Sequence, residues 1–268
     1  MKNKKKNYFF GKYYKFVNQL GYSFALIDAD TSKGKVIQLI NENESYVIKD
    51  PTQIRVGENV IEFNVMQEGL SIKGFLSIGE LHPLTKDVMG ILRKCHIPCK
   101  HNIYSMYHKV GGRLLINGKL HSFLNGVGYI EGDEGLSFPK RYIWFNSINY
   151  DYGLTLAIAT IPLCKVFRFT GCFLTIKDED HEYVFSSLNG LRICKISKYL
   201  LILSKGNYVF KLYLDDSIGQ KLYAPEKGEM KYFIHEAIKV ISGFELFYKD
   251  KLIFSRYDVQ GSIERVDM

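Results

Sequence analysis

Leu70-Ser71-Ile72-Lys73-Gly74-Phe75-Leu76-Ser77-Ile78 alternates apolar and polar residues. In an extended chain, successive side chains point to opposite faces. Leu70, Ile72, Leu76 and Ile78 then share one face, and Ser71, Lys73 and Ser77 share the other with Phe75. This is the pattern of a half-buried antiparallel strand. It recurs on both sides. Ile61, Phe63 and Val65 alternate with Glu62 and Asn64, and Tyr208, Phe210, Leu212 and Leu214 alternate with Val209, Lys211 and Tyr213.

Short polar turns separate such runs. Asn117–Gly118 stands between Arg113–Ile116 and Lys119–Phe123, and Lys205-Gly206-Asn207 between Leu200–Ser204 and Tyr208–Leu214. Lys177–Asp180 divides Phe173–Ile176 from Glu182–Phe185. These are hairpin signals. Helical periodicity is scarce: Leu84–Lys94, after Pro83, is read as one short helix. No strand–helix–strand spacing is visible, so a parallel sheet is not expected. The fold class is all-β: antiparallel barrels or sandwiches with little helix.

The 268 residues suit one large or two small domains, at roughly 150 residues per domain. No low-complexity linker marks a boundary, so it is placed near the middle. The expected division is a disordered basic tail over 1–6, a β domain over 7–125 and a second β domain over 126–268.

Hydrophobic residues make up 46% and charged residues 24%, which excludes bulk disorder and collagen-like structure. Aromatic residues reach 14%, with 19 Tyr, 18 Phe and 1 Trp, enough to line a pocket with rings. No run approaches the ~20 apolar residues that span a bilayer. Gly11, Lys12 and Lys15 interrupt any signal-peptide core, so a cytoplasmic location is expected. There the five cysteines (Cys95, Cys99, Cys164, Cys172, Cys194) are expected as free thiols, with Cys164, Cys172 and Cys194 in the core.

The net charge of +8 admits nucleic acid or an anionic membrane as partners. Outside Lys2–Lys6, however, the lysines are dispersed, and no helix-turn-helix, zinc-finger or RNA-binding signature is present. Nucleic acid is therefore not an expected partner. The Lys2–Lys6 tail can add weak peripheral contact with the inner membrane face, short of a stable anchor.

Chemistry concentrates between Cys95 and Pro162. Gly128-Tyr129-Ile130-Glu131-Gly132-Asp133-Glu134-Gly135-Leu136-Ser137-Phe138-Pro139 is followed by Tyr142-Ile143-Trp144-Phe145-Asn146. If the first stretch is extended, Glu131 and Asp133 point to the same side. Pro139 marks an edge or a bulge. Acids held among aromatic rings can stay protonated near neutrality. The plain alternative is a charged loop in water.

These residues resemble the tocopherol cyclase-like family, which is similar in fold to carotenoid hydratases. The family pattern Gly-Tyr-Ile-Glu-x-Asp-x-Gly-x-Ser-Phe-Pro, then Trp, is met from Gly128 to Pro139 and at Trp144. Upstream, Cys99, His101, Ser105, Met106 and His108 match a Cys-x-His and Ser-Met-x-His pattern, followed by Gly112 and Ile116–Gly118. Asn149, Ile158–Pro162, Ala224–Pro225, Gly228, Met230 and Ile234–Glu236 match further stretches, and Tyr8–Lys15 resembles the first strand. The family usually has Lys where Gly132 stands, an aromatic residue where Glu134 stands, and Glu-Gly-Trp-Tyr where this chain has Phe10-Gly11-Lys12-Tyr13.

The resemblance implies two lipocalin-like β domains in tandem, with a hydrophobic pocket at or near their interface. It implies an intramolecular lyase of the isomerase class. A prenyl double bond is protonated, and the phenol oxygen of a quinol traps the tertiary cation. Related hydratases trap such a cation with water. This chemistry needs a protonated carboxyl, aromatic faces and exclusion of stray water, and no cofactor. Asp133 or Glu131 is the expected acid. Tyr129 and Trp144 supply ring faces, and His101, His108 or Asn146 orients the ligand's oxygen. Glu236 is either a pocket acid or half of a surface pair with His235. The expected partner is a hydrophobic small molecule. A non-catalytic lipocalin-like carrier accounts for the same residues.

Other readings carry less. Cys95, His96, Cys99, His101 and His108 are zinc-type ligands, but their spacing is not that of a finger or ribbon, so no metal is expected. Ser105 lacks the Gly-x-Ser-x-Gly elbow of a hydrolase. Gly111–Gly112 precedes a strand, not a phosphate-binding helix.

Overall fold

The computed structural model describes residues 7–162 and 168–268. Its first sheet holds β1 (Phe9–Val17), β2 (Ser23–Thr31), β3 (Gly34–Asn41), β4 (Ser45–Val47) and β5 (Ile54–Val56). It continues with β6 (Val60–Gln67), β7 (Leu70–Ile78), β8 (Cys99–Ile116), β9 (Lys119–Ser122) and β10 (Gly126–Gly135). The second sheet holds β11 (Tyr142–Ile148), β12 (Tyr152–Pro162), β13 (Arg168–Asp178), β14 (Glu182–Ser186) and β15 (Arg192–Ile196). It ends with β16 (Leu200–Lys205), β17 (Tyr208–Leu214), β18 (Gln220–Glu226), β19 (Glu229–Tyr248) and β20 (Lys251–Val266).

Both sheets are antiparallel and follow one plan. The order is β4-β3-β2-β1-β10-β8-β7-β6-β5 in the first and β14-β13-β12-β11-β20-β19-β17-β16-β15 in the second. In each, the first and last strands of the segment pair at the centre, β1 with β10 and β11 with β20. This is the expected all-β fold of two tandem lipocalin-like units. The ladders among described residues leave both sheets open, so neither closes into a barrel. Sheet membership favours dividing the chain within 136–141, after β10, over the 125/126 division expected from the sequence.

The alternation reading holds at residue level. β7 spans Leu70–Ile78, with Leu70, Ile72, Leu76 and Ile78 buried and Phe75 exposed. The helix expected over Leu84–Lys94 is not formed. Only a 3₁₀ turn, Gly90–Lys94, is present, and Gly90 sits at φ +48°, outside the right-handed helical region. Among the described residues no α-helix is found. Among these residues no helix is long and apolar enough to cross a membrane. The basic tail over 1–6, Cys164 and Phe167 lie outside the described residues. Cys172 is buried as expected, but Cys194 is exposed and not a core thiol.

Three apolar clusters form the interior. One is built from the first sheet alone and includes Tyr14, Phe16 and Ile130. A second, from the second sheet alone, includes Ile143 and Phe145. The third draws on both sheets and includes Tyr13, Tyr129, Tyr142 and Trp144. The central strands β1, β10 and β11 are thus buried on both faces. Odd- and even-numbered residues go to different cores because the side-chain period is two. The same parity places Lys15 beside Tyr13, Glu131 beside Tyr129, and Asn146 beside Trp144, all facing the layer between the sheets.

Candidate functional site

A cavity of about 200 Å³ opens in that layer. Its walls are mostly apolar, with Phe9, Ile27, Val88, Phe138, Phe173 and Ile234 among them. Pro139, in the connection between the sheets and not in a strand, also lines it. Polar groups converge from both sheets: Lys12, Tyr13, His101, Glu131 and Asp133 from the first, and Tyr142, Trp144 and Glu264 from the second.

His101 lies between two carboxylates. In the β8–β10 ladder it faces Asp133. Its Nδ1 is 3.1 Å from Asp133 Oδ1, and its Nε2 is 3.4 Å from Glu131 Oε2. The second approach is an ionic contact and lacks hydrogen-bond direction, which leaves Nε2 without a hydrogen-bond partner among the described residues. The ring leans on Phe173, with centroids 5.3 Å apart. Burial works against a charge on His101, but Glu131 and Asp133 outweigh it and lift its pKa to about 9. The imidazolium is therefore the neutral-pH form.

Glu131 is buried, and Oε2 accepts from Tyr129 Oη at 2.5 Å and Trp144 Nε1 at 3.0 Å. Burial raises its pKa to about 7, against the pull of His101 and of these two donors. Asp133 also accepts from Cys99 Sγ at 3.4 Å. Burial, and then Asp133, push that thiol well above its ordinary pKa, so Cys99 stays protonated.

A second acid group stands behind the cavity wall. Glu236 is fully buried, and its Oε1 accepts from Tyr13 Oη at 2.5 Å while Oε2 has no hydrogen-bond partner among the described residues. Its pKa is raised to about 7 by burial, opposed by Tyr13 and Lys15. Lys15, also fully buried, donates to Asn146 Oδ1 at 3.4 Å. Burial lowers its pKa to about 7 despite Glu236 and Glu131. On the cavity wall, Glu264 Oε2 accepts from Tyr142 Oη at 2.6 Å. Burial drives the Glu264 pKa well above the carboxylate range, and Glu236 adds to it.

The sequence-expected residues are sorted by this geometry. Asp133, Glu131, Trp144 and His101 reach the cavity. Tyr129 lies beneath it, donating to Glu131 and accepting from Thr155 Oγ1 at 3.0 Å. Glu236 lies behind Tyr13, while its neighbour His235 is exposed, so the two do not form a surface pair. His108 and Asn146 do not line the cavity. Seven residues of extended strand carry His108 roughly 20 Å beyond His101. There its Nδ1 meets Ser105 Oγ at 3.1 Å, and burial, followed by His82, lowers its pKa to about 4. It is a neutral core imidazole. Asn146 spends its amide on Leu154 O and Thr155 Oγ1. Tyr13 and Phe169 also line the cavity.

Sequence reasoning missed Glu264, Tyr142 and Lys15. Lys15 had a signal, a lone charge inside the apolar run Tyr13–Val17. Glu264, far along the chain in Ser262-Ile263-Glu264-Arg265-Val266, had none.

Among the described residues, the metal-type donors that gather within 4.8 Å of one another are His101, Glu131 and Asp133. Cys95 and His96 are exposed and take no part, so the zinc set read along the chain is not assembled. Here the carboxylates hold a protonated imidazole.

No known family model matches the chain, and no curated protein matches it. Solved structures do. Kievitone hydratase from Nectria haematococca is 13% identical, with 96% of this chain and 88% of that chain covered and a TM-score of 0.53. CghA is 8% identical, with 97% and 88% covered and a TM-score of 0.62. At such identities the likeness is one of fold.

Proposed function

We propose that the cavity takes a hydrophobic prenylated molecule, a quinol or isoprenoid, and that the chain catalyses acid-driven addition across a prenyl double bond. One observation carries this reading. A His101–Glu131–Asp133 cluster, with Glu131 brought to the neutral range, faces an apolar cavity walled by Tyr13 and Trp144. The resemblance to tocopherol cyclase-like proteins favours ring closure, and the fold shared with a hydratase favours addition of water.

A carboxyl of the site protonates the alkene, and a tertiary cation forms. Ring faces of Tyr13 and Trp144, with the carboxylates nearby, stabilise that charge. The ligand's phenol oxygen, or water, supplies the electron pair and loses its proton to a second carboxylate. Glu131 can serve in either sense, since its two protonation states lie close in free energy at neutral pH. Asp133 acts on His101, and through it on Glu131.

The test is organic extraction of the purified protein with mass spectrometry, followed by turnover of a panel of prenylated quinols. A co-purifying isoprenoid and a cyclised or hydrated product support the reading. A protein that is empty and binds none of the panel overturns it.

A second reading rests on the saturation of Glu131. Two donors, from β10 and β11, and the imidazolium of β8 meet one carboxylate oxygen, as suits a clasp between sheets. A non-catalytic lipocalin-like carrier would bind the panel and change none of it.

A further inference from the structure

Acid-driven addition needs one group that gives a proton and another that takes one. Building on the reading above, we propose that Glu264 of β20 is the proton donor, and that Glu131, on β10 of the other sheet, is the acceptor.

Position comes first. Glu264 lies on the cavity wall. It is the ladder partner of Trp144 in β11 and of Glu236 in β19, so the three side chains share one face. Its Oε2 is taken by Tyr142 Oη, and among the described residues no hydrogen bond reaches Oε1.

The surroundings decide the proton. The titratable groups facing Glu264 are Glu236 from β19, Tyr142 from β11, and Glu131 and Asp133 from β10. Every one is an acid. Among the described residues no Lys, Arg or His nitrogen lies within 4.0 Å of its carboxylate. Its neighbour Arg265 turns away and donates to Ser197 O and Lys198 O. An ionised Glu264, half-buried on the cavity wall, would put an uncompensated charge opposite the fully buried Glu236, and two carboxyls so placed cannot both ionise easily. Glu131 has the opposite surroundings. An imidazolium, a phenol and an indole all favour its ionised form. The cavity therefore has a neutral acid on one sheet and, on the other, a carboxyl whose nearest partners favour its ionised form.

The step balances as follows. The O–H bond of Glu264 breaks, and its electron pair stays on the carboxylate. The π pair of the alkene forms a C–H bond at the less substituted carbon. The phenol oxygen's lone pair then forms the C–O bond at the cationic carbon, and the phenol proton passes to Glu131. The ligand is isomerised with no change of composition. One proton returns from Glu131 to Glu264 before the next turnover.

Infrared spectroscopy of the full chain, titrated upward from neutral pH, tests this. Glu131 and Glu236, with pKa values of about 7, ionise first and leave the most basic carboxyl in its acid form. The expected result is a protonated-carboxyl C=O band that is lost in Glu264→Gln and kept in Glu131→Gln. Glu264→Asp should move the band without removing it, and serves where the amide variant does not fold. No such band in the wild type, or a band that survives Glu264→Gln, overturns the proposal.

A geranylated hydroquinone in deuterated buffer is the second readout. Wild type should give a cyclised product carrying one new C–D bond, at least about 100-fold faster than Glu264→Gln. A Glu264→Gln rate equal to wild type also overturns the assignment. If the wild type leaves this probe unchanged, cyclisation of such quinols fails, while the infrared band still decides Glu264.

Discussion

Trp144 of the second sheet donates its indole N–H to Glu131 of the first, at 3.0 Å. Both follow from parity. Trp144 and Tyr142 point into the layer between the sheets, while Ile143 and Phe145 fill the second sheet's own core. The only tryptophan of the chain is thus a bond between sheets as well as a wall of the cavity.

Trp144→Phe keeps a ring and removes the donor. A buried acceptor that loses a donor costs about 1–3 kcal/mol, more for a charged group. We expect the variant's first urea transition to move down by about 2 kcal/mol, with Glu131 titrating higher than in wild type. An unchanged transition would show that this bond does not hold the sheets together.

Glu131→Gln and Asp133→Asn should fold and should differ in kinetics. With a prenylated quinol that the wild type turns over, Glu131→Gln is expected to lose about 100-fold, the usual scale for a general acid or base. Asp133 is a positioning residue for His101. Its amide variant should lose less and should move the alkaline limb of the pH–rate profile downward. Wild-type turnover in both folded variants removes these carboxylates from the chemistry.

The strands were legible because alternation is a local property. Leu70–Ile78 and Ile61–Val65 carry their burial in their own order of residues. Leu84–Lys94 misled because Leu84, Val88, Ile91 and Leu92 sit at helical spacing, while Gly90 breaks the run with a left-handed backbone. Glu131 and Asp133 were legible as a pair because i and i+2 share a face on any strand. Glu264 was not, because its neighbours come from β11 and β19, and only the register brings Trp144 and Glu236 beside it.

Lys12 and Gly132, two positions where the sequence departs from the tocopherol cyclase-like pattern it otherwise resembles, are partners in the β1–β10 ladder. The ammonium of Lys12 sits 4.9 Å from the centre of the Tyr104 ring. A Cβ at Gly132 would come within 2.7 Å of Gly11 O and 2.9 Å of Tyr104 Cε2. The lysine on this side of the cavity is thus carried by β1, and the space above Gly132 is taken. Gly132→Ala should cost about 2 kcal/mol by overpacking, read as a lower denaturation midpoint. A midpoint equal to wild type would mean that Tyr104 and β1 yield freely.

His101 gives the site a pH dependence with a definite sign. Its folded pKa of about 9 lies above the unfolded value of about 6.5. The stabilisation from its ion pairs is therefore fully present below about pH 6.5 and is lost as pH rises through about 9. Glu131 and Glu236, also raised in the folded state, act in the same direction as they ionise near 7. Lys15, lowered to about 7, acts in the opposite direction. The stability difference between wild type and His101→Gln isolates the imidazole. It should shrink by about 3 kcal/mol between these limits, at 1.36 kcal/mol per unit of pKa. Glu131→Gln should bring the His101 titration down toward its ordinary value, since the Glu131 charge is one of the two that lift it. Imidazole NMR across this range reads both effects. A His101 that titrates near 6.5 in the wild type would mean that the two carboxylates do not hold its proton, and that the acid–base cluster is not formed in solution.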